Sequence, residues 1–211
     1  MINKLKLKIL LDELKSQGIK DKNVLNAIKD IPRHLFVPDD LQEEAYENYP
    51  LNIGYKQTIS QPYTTAFMLQ VLELKYEDKV LEIGTGSGWS TSLIGYIAEK
   101  VYSIETIKEL NKIANKNIKK IKLKNIKTFV GDGSKGLKKY SPYTKIIVNA
   151  ACSKIPEILL KQLKDNGILV CPVGSLYEQN MLKITKIKGK IKTENIGGFI
   201  FVPLISDEYG F

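Results

Sequence analysis

The sequence predicts a doubly wound α/β fold with a mostly parallel sheet, a helical extension in front and antiparallel strands at the end. Three observations carry this. Between residues 79 and 173 short apolar runs alternate with amphipathic stretches, a rhythm that implies βαβ units. A glycine-rich turn stands where the first apolar run passes into its helix. The last forty residues alternate apolar and polar positions, as strands of an antiparallel hairpin do.

Taken in order, residues 2–30 place Leu7, Leu10, Leu11, Leu14, Val24 and Ile28 at helical spacing, interrupted by Gly18, and read as two short helices. Residues 31–62 change texture, with four prolines and scattered aromatics. Ile, Leu, Phe and Tyr stay frequent there, so the segment reads as ordered but irregular. A helical pattern returns over 63–74 through Ala66, Met68, Leu69 and Leu72. Strands follow at 79–83, 101–105, 125–130, 144–150 and 167–173. Helices are expected between them at 89–100, 107–121 and 155–164, the last opened by Pro156. The terminal hairpin is centred on the Gly-Lys pair 189–190.

Composition sets the outer bounds. The 211 residues carry 32 Lys plus Arg against 23 Asp plus Glu, a net charge of +9, with 43% hydrophobic residues. At roughly 100–200 residues per domain this is one domain with an extension. The longest uncharged run of note, 84–98, is broken by five Ser or Thr and by glycines, so no membrane span is expected. The N-terminus keeps charges every few residues and lacks the apolar core of a secretory signal, which points to the cytoplasm. Two cysteines, Cys152 and Cys171, lie in apolar contexts and read as buried thiols; with no Cys/His cluster, no metal is expected. Thirty-one of the basic residues are lysine and Arg33 is the one arginine. Bidentate forks are arginine work, so sequence-specific nucleic-acid readout is poorly supported, and the lysines read first as a solvated surface.

The chemistry concentrates at LEIGTGSGW, residues 81–89. Glycines at 84, 86 and 88 let the backbone pass close beneath a ligand, and the helix start that follows offers free N–H groups and a positive dipole end. A dinucleotide fingerprint wants a third small residue where this chain has Trp89, so a pyrophosphate cofactor is disfavoured. A run of the form E-x-G-x-G-x-G suits S-adenosylmethionine. Glu105 then falls at the end of the second strand, 21 residues beyond Gly84, where an acid accepts from ribose hydroxyls. Asp132, between Gly131 and Gly133 after the third strand, is placed to accept from an adenine amino group. Each acid alone could equally be a cap or a solvated turn; together they converge on one crevice.

The segments IPRHLFVP (31–38), AYENYPLNIGYKQTISQPY (45–63), VLEIGTGSGW (80–89), GDGSKG (131–136), AACSKIPEILLKQLKDNGILVCPVG (150–174) and FVPLI (201–205) resemble the protein-L-isoaspartate O-methyltransferases, in order and from about residue 24 to the end. The resemblance implies a Rossmann-like methyltransferase that moves a methyl group from S-adenosylmethionine to the free α-carboxylate of L-isoaspartyl residues in damaged proteins and peptides. Membrane and nucleic acid are not expected as partners. It implies an extension over 1–74 that binds substrate and a cofactor core over 75–211. Ser60 of QTISQP is the implied active-site residue, with Thr58, Ile59 and Val202 beside the substrate. Gln61, Gly84, Thr85, Gly86, Ser87, Glu105, Thr106, Asp132, Gly133 and Asn149 are expected around the cofactor.

His34 and Tyr46, Tyr49 and Tyr55 read as packing residues, since an ionised carboxylate needs no base. The chain departs from the family pattern at Asn48, Asn52, Lys145 and Asn149; Lys145 in particular removes a carboxylate near the cofactor sheet. Asn149 raises one rival, a methyltransferase of nucleic-acid amino groups, but the prolines and stacking ring such enzymes use are missing. A second rival is a cofactor-binding module without catalysis.

Overall fold

The computed structural model describes residues 2–210. Helices α1 (Ile2–Ser16) and α2 (Lys22–Asp30) form the extension, separated at Gly18, whose φ of +96° an L side chain rarely adopts. Asp21 caps α2 by accepting from the backbone N–H of Asn23 and Val24. After two 3-10 turns comes a feature absent from the sequence expectation: a small antiparallel hairpin, β1 (Leu51–Gly54) and β2 (Gln57–Ile59). Its turn places Tyr55 and Lys56 at positive φ, a turn made without the Asn-Gly or Asp-Gly signal by which such hairpins are read. Helix α3 (Pro62–Leu72) follows, with Pro62 in its first turn.

The core then runs β3 (Lys79–Ile83), α4 (Trp89–Ile97), β4 (Lys100–Glu105), α5 (Lys108–Ile121), β5 (Ile126–Val130), β6 (Tyr143–Val148), α6 (Glu157–Gln162), β7 (Leu163–Gly174), β8 (Gln179–Ile187) and β9 (Lys190–Phe199). The seven strands stand in the order β5-β4-β3-β6-β7-β8-β9. The first five are parallel, while β8 and β9 pair antiparallel on the β7 side, as the alternating C-terminal pattern predicts. The hairpin turn falls on Lys188-Gly189, one residue before the expected pair.

Two boundaries are displaced appreciably: α4 ends at Ile97 rather than at 100, and Lys100 already belongs to β4. Helix α6 stops at Gln162, and Leu163 and Lys164 belong to β7. Leu163 pairs with Tyr143 before the register shifts to Lys145 with Ile168, so sheet pairing overrides a helix-like apolar pattern.

Successive strand residues feed opposite faces. Val80, Ile147, Ile168 and Val170 join the core under α1–α4, while Leu81, Ile83, Ile146, Val148 and Leu169 join the core on the other side. That alternation lets a central parallel sheet bury both faces. The consequence for function is the switch point: the chain leaves β3 toward β4 on one side and β6 lies on the other. The crevice at the carboxyl ends of β3 and β6 is where such sheets bind ligands. None of the described helices is long and apolar enough to cross a membrane.

Candidate active site

At the switch point Gly84 N–H donates to the Ile104 carbonyl (2.8 Å) and Asn149 N–H donates to the Ile83 carbonyl (2.8 Å), so the glycine loop and the end of β6 stand side by side. Gly84 takes φ +90°, and a Cβ there would meet the Asn149 Cβ at 3.4 Å. Gly88, at φ +94°, leads into α4 against Ile118 and Ala114. The loop is therefore tight from below and open from above.

A cleft lies over this loop. Gly84, Thr85, Gly86, Ser87, Glu105 and Thr106, residues the sequence reading sets around a cofactor, all line it. Glu105, at the end of β4, accepts from Gly86 N–H at 2.8 Å and from Ile107 N–H at 3.0 Å. The Ser87 hydroxyl is buried without a partner among the described residues, an orphan polar atom in the bend of the loop. An unpaired hydroxyl, a glycine floor and a carboxylate at the second strand end fit the amine and hydroxyl groups of S-adenosylmethionine.

Three expected cofactor residues lie elsewhere. Asp132 and Gly133 follow β5, but neither is part of the cleft lining. Asp132 accepts from the Ser134 N–H (2.9 Å) and hydroxyl (2.7 Å), and its other oxygen faces Lys135 at 3.4 Å, so it caps a 3-10 turn. Gly133 is there because a side chain would collide with Ile83. Gln61 lines a second, more open groove formed by Pro50, Tyr63, Phe67 and residues 196–202.

The two cavities share Thr58, Ser60, Asn149 and Val202. Ile59 lines the first cleft. Val202 is held by main-chain bonds: its carbonyl accepts from Ala151 N–H, and Leu204 N–H returns to the Ala151 carbonyl, both at 2.8 Å. Short β2 carries Thr58 and Ile59 in, and Ser60 sits one residue before the Gln61 cap of α3.

Two residues essential to this arrangement were given no role by the sequence reading. Arg33, 1% exposed, donates to the carbonyls of Ala45 (2.8 Å), Tyr49 (3.3 Å) and Ser60 (3.1 Å) and lies over the Trp89 ring at 5.2 Å. It ties the extension, the Ser60 turn and the helix after the glycine loop into one body. Burial pulls its pKa down to about 9. Glu82, fully buried in β3, accepts from the hydroxyls of Thr91 (2.5 Å) and Ser103 (2.7 Å) and from the Asn149 amide (2.9 Å). Burial raises its pKa, and those hydrogen bonds oppose the rise. The signals were present: a lone arginine in a lysine-rich chain, and an acid inside the apolar run KVLEI.

The departures also acquire reasons. Asn48 bridges α1 and α3, donating to Glu13 (2.8 Å) and accepting from Tyr63 N–H (2.9 Å), while Asn52 accepts from Gly54 N–H (2.7 Å) in the hairpin turn. Asn149 donates to Glu82 and to the Gly84 carbonyl (3.2 Å). Lys145 is buried near the start of β6, at the end of the sheet away from the cleft, with Asp78 and Glu73 as its opposing charges. Its presence leaves the cofactor side untouched. His34 Nδ1 pairs with the Tyr46 hydroxyl at 2.8 Å, a packing contact. Cys152 and Cys171 are free, buried thiols 3.6 Å apart.

Sheet order, glycine loop and strand-end acid together define the S-adenosylmethionine-dependent methyltransferase class with a Rossmann-like core. The comparisons narrow it. A family profile described as protein-L-isoaspartate(D-aspartate) O-methyltransferase matches residues 5–209. The protein-L-isoaspartate O-methyltransferase of Dictyoglomus turgidum is 50% identical over 208 residues, covering 99% of this chain and 94% of that protein. Its counterpart in Petrotoga mobilis is 49% identical over 201 residues, covering 94% of each. A Plasmodium falciparum structure described as a β-aspartate methyltransferase in complex with S-adenosyl-L-homocysteine superposes with a TM-score of 0.83 at 28% identity, covering 93% of this chain and 97% of that one. This chain belongs to the protein-L-isoaspartate O-methyltransferase family.

Proposed function

We propose that this chain methylates the free α-carboxylate of L-isoaspartyl residues in damaged polypeptides of the cytoplasm, using S-adenosylmethionine. The observation that carries the reading is the meeting of the two cavities at Thr58, Ser60, Asn149 and Val202. One cavity suits the cofactor and the other admits an extended chain. When bound, S-adenosylmethionine supplies an electrophilic methyl group on a positively charged sulfur.

Thr85, Gly86 and Ser87 form the floor beneath the cofactor, with Glu105 and Thr106 on the ribose side. Glu105 oxygens each retain a lone pair beyond the bonds they make to Gly86 and Ile107. An α-carboxylate, with a pKa of about 3.5, is ionised at neutral pH and needs no general base. The chain's task is alignment, worth a large share of the barrier when the reacting atoms are held about 3 Å apart. The Ser60 hydroxyl donates to and orients the acceptor carboxylate without neutralising it, as an ammonium would. The start of α3, two residues further on, adds a positive dipole end. The Val202 segment offers an extended main chain along which a peptide can lie. The methyl ester leaves the site, and the backbone amide nitrogen that follows then attacks the ester carbonyl, losing its proton and expelling methanol to close a succinimide without further help.

The test is a methyl-transfer assay on one peptide in isoaspartyl and aspartyl forms, with RNA as a control substrate. Only the isoaspartyl form should be methylated. Ser60→Ala should lower turnover about 10²-fold, the scale of losing one oriented donor, with cofactor affinity unchanged. Equal methylation of the two peptides, or methylation of RNA instead, would overturn the reading.

A further inference from the structure

The positive charge of this chain is concentrated in one place. Residues 108–139 hold eleven of its 32 basic residues and two of its 23 acidic ones, Glu109 and Asp132, leaving 21 of each sign elsewhere. The whole net charge of +9 therefore resides in these 32 residues. All eleven lysines are exposed, and Lys135 is the one that forms an ion pair among the described residues.

The fold turns this run into a face. Helix α5 buries Leu110, Ala114 and Ile118 at i, i+4 and i+8, so Lys108, Lys112, Lys116 and Lys120 stand as a ladder on its solvent side. Lys127 lies on β5, the edge strand, and Lys138 and Lys139 on the turn before β6. A lysine ladder at four-residue spacing is self-repulsive, whereas a helix face serving only solubility gains by mixing signs. The face reaches the cofactor cleft: Thr106 and Leu110, on either side of Lys108, both line it.

We infer that this lysine face is a docking surface for acidic client polypeptides, which it draws to the neighbouring active site. The inference rests on the isoaspartyl-methylation reading and names the clients that reading leaves open. Deamidation of asparagine to isoaspartate replaces a neutral amide with a carboxylate, so a client damaged by that route gains a negative charge. A polypeptide fits better than nucleic acid. The face contains no arginine to fork phosphate, and Tyr140, beside Lys127 and Lys139, stacks on Tyr102 at 4.4 Å. Lysine point charges suit carboxylates spread along a mobile chain.

The experiment compares two isoaspartyl peptides of identical core, one ending in an acidic tail and the other in a neutral one, each through Gly/Ser spacers of increasing length. At low salt the acidic tail should raise kcat/KM about 10-fold, chiefly through KM, the low end for electrostatic steering. The advantage should fade near 1 M salt, where the Debye length is about 3 Å. The variant K112E/K116E/K119E/K120E, and its Lys→Gln counterpart, should lose the preference while methylating the neutral-tailed peptide at the parent rate. Anisotropy of the acidic tail alone should report the same lysine-dependent binding. No preference in the parent, a preference that survives in both variants, or lysine-dependent binding of duplex RNA but not of the acidic tail would overturn the inference. If neither peptide is methylated, the functional reading fails, and tail binding still decides whether the face docks acids.

Discussion

Arg33→Lys isolates the residue that ties the extension to the active site. Arg33 is 1% exposed and its guanidinium serves three carbonyls, those of Ala45 and Tyr49 in one segment and of Ser60 in another, at 2.8, 3.3 and 3.1 Å. A lysine ammonium is a compact point charge that cannot span all three, so at least one buried carbonyl is left unpaired, at a cost of about 1–3 kcal/mol. The guanidinium's cation–π contact with the Trp89 ring, at 5.2 Å, is lost as well, worth about 0.5–2 kcal/mol. The combined loss of about 1.5–5 kcal/mol is a large part of a typical stability of about 5–15 kcal/mol. It should appear as a Tm lower by roughly 3–20 °C and a lower urea midpoint at constant slope. Because one of the three carbonyls belongs to Ser60, turnover of an isoaspartyl peptide measured well below the new Tm should fall more than cofactor affinity does. A stability change under about 1 kcal/mol, or a stability loss with unchanged turnover, would refute the reasoning.

Glu105→Ala should weaken S-adenosylmethionine binding by about 1–3 kcal/mol in calorimetry, since it removes a charged acceptor and frees the Gly86 N–H it holds; unchanged affinity would remove Glu105 from the site. Glu82 binds its proton more tightly in the fold than in the unfolded chain, so its stabilising contribution is complete below its ordinary pKa of 4.5 and is lost as pH rises through its folded value. The stability of the parent relative to Glu82→Gln should accordingly decline from about pH 4.5 upward, and a pH-independent difference in denaturant titrations would sink that account. Gly133→Ala should destabilise by about 1–3 kcal/mol through overpacking against Ile83, which is buried and β-branched and has little room to yield. Thermal melts matching the parent would show that Ile83 can move.

Much of this molecule was legible because it depends on local pattern. The parallel strands read as apolar runs since both faces are buried, and α5 announced itself through Leu110, Ala114 and Ile118. That Gly84, Gly86 and Glu105 line one cleft was legible because a sharp strand-to-helix loop uses glycine, and strand ends converge in a parallel sheet. The β1–β2 hairpin was not legible, since its strands are four and three residues long and its turn uses Tyr55 and Lys56. Asp132 was legible as an acid after β5, but whether it caps a turn or faces a ligand depends on side-chain direction, and in the structure it caps.

By itself the sequence determined the order of elements, the position of the glycine loop and the presence of the QTISQP serine, because each follows from hydrophobic period or from a residue type that a backbone shape requires. Tertiary structure alone decided which groups meet. The contact of Glu82 with Asn149, 67 residues apart, arises when the sheet sets β3 beside β6, and that of Arg33 with Ser60, 27 apart, when the extension packs against the start of α3. A buried charge takes whichever partners the packing leaves within hydrogen-bond reach, and spacing along the chain does not carry that information.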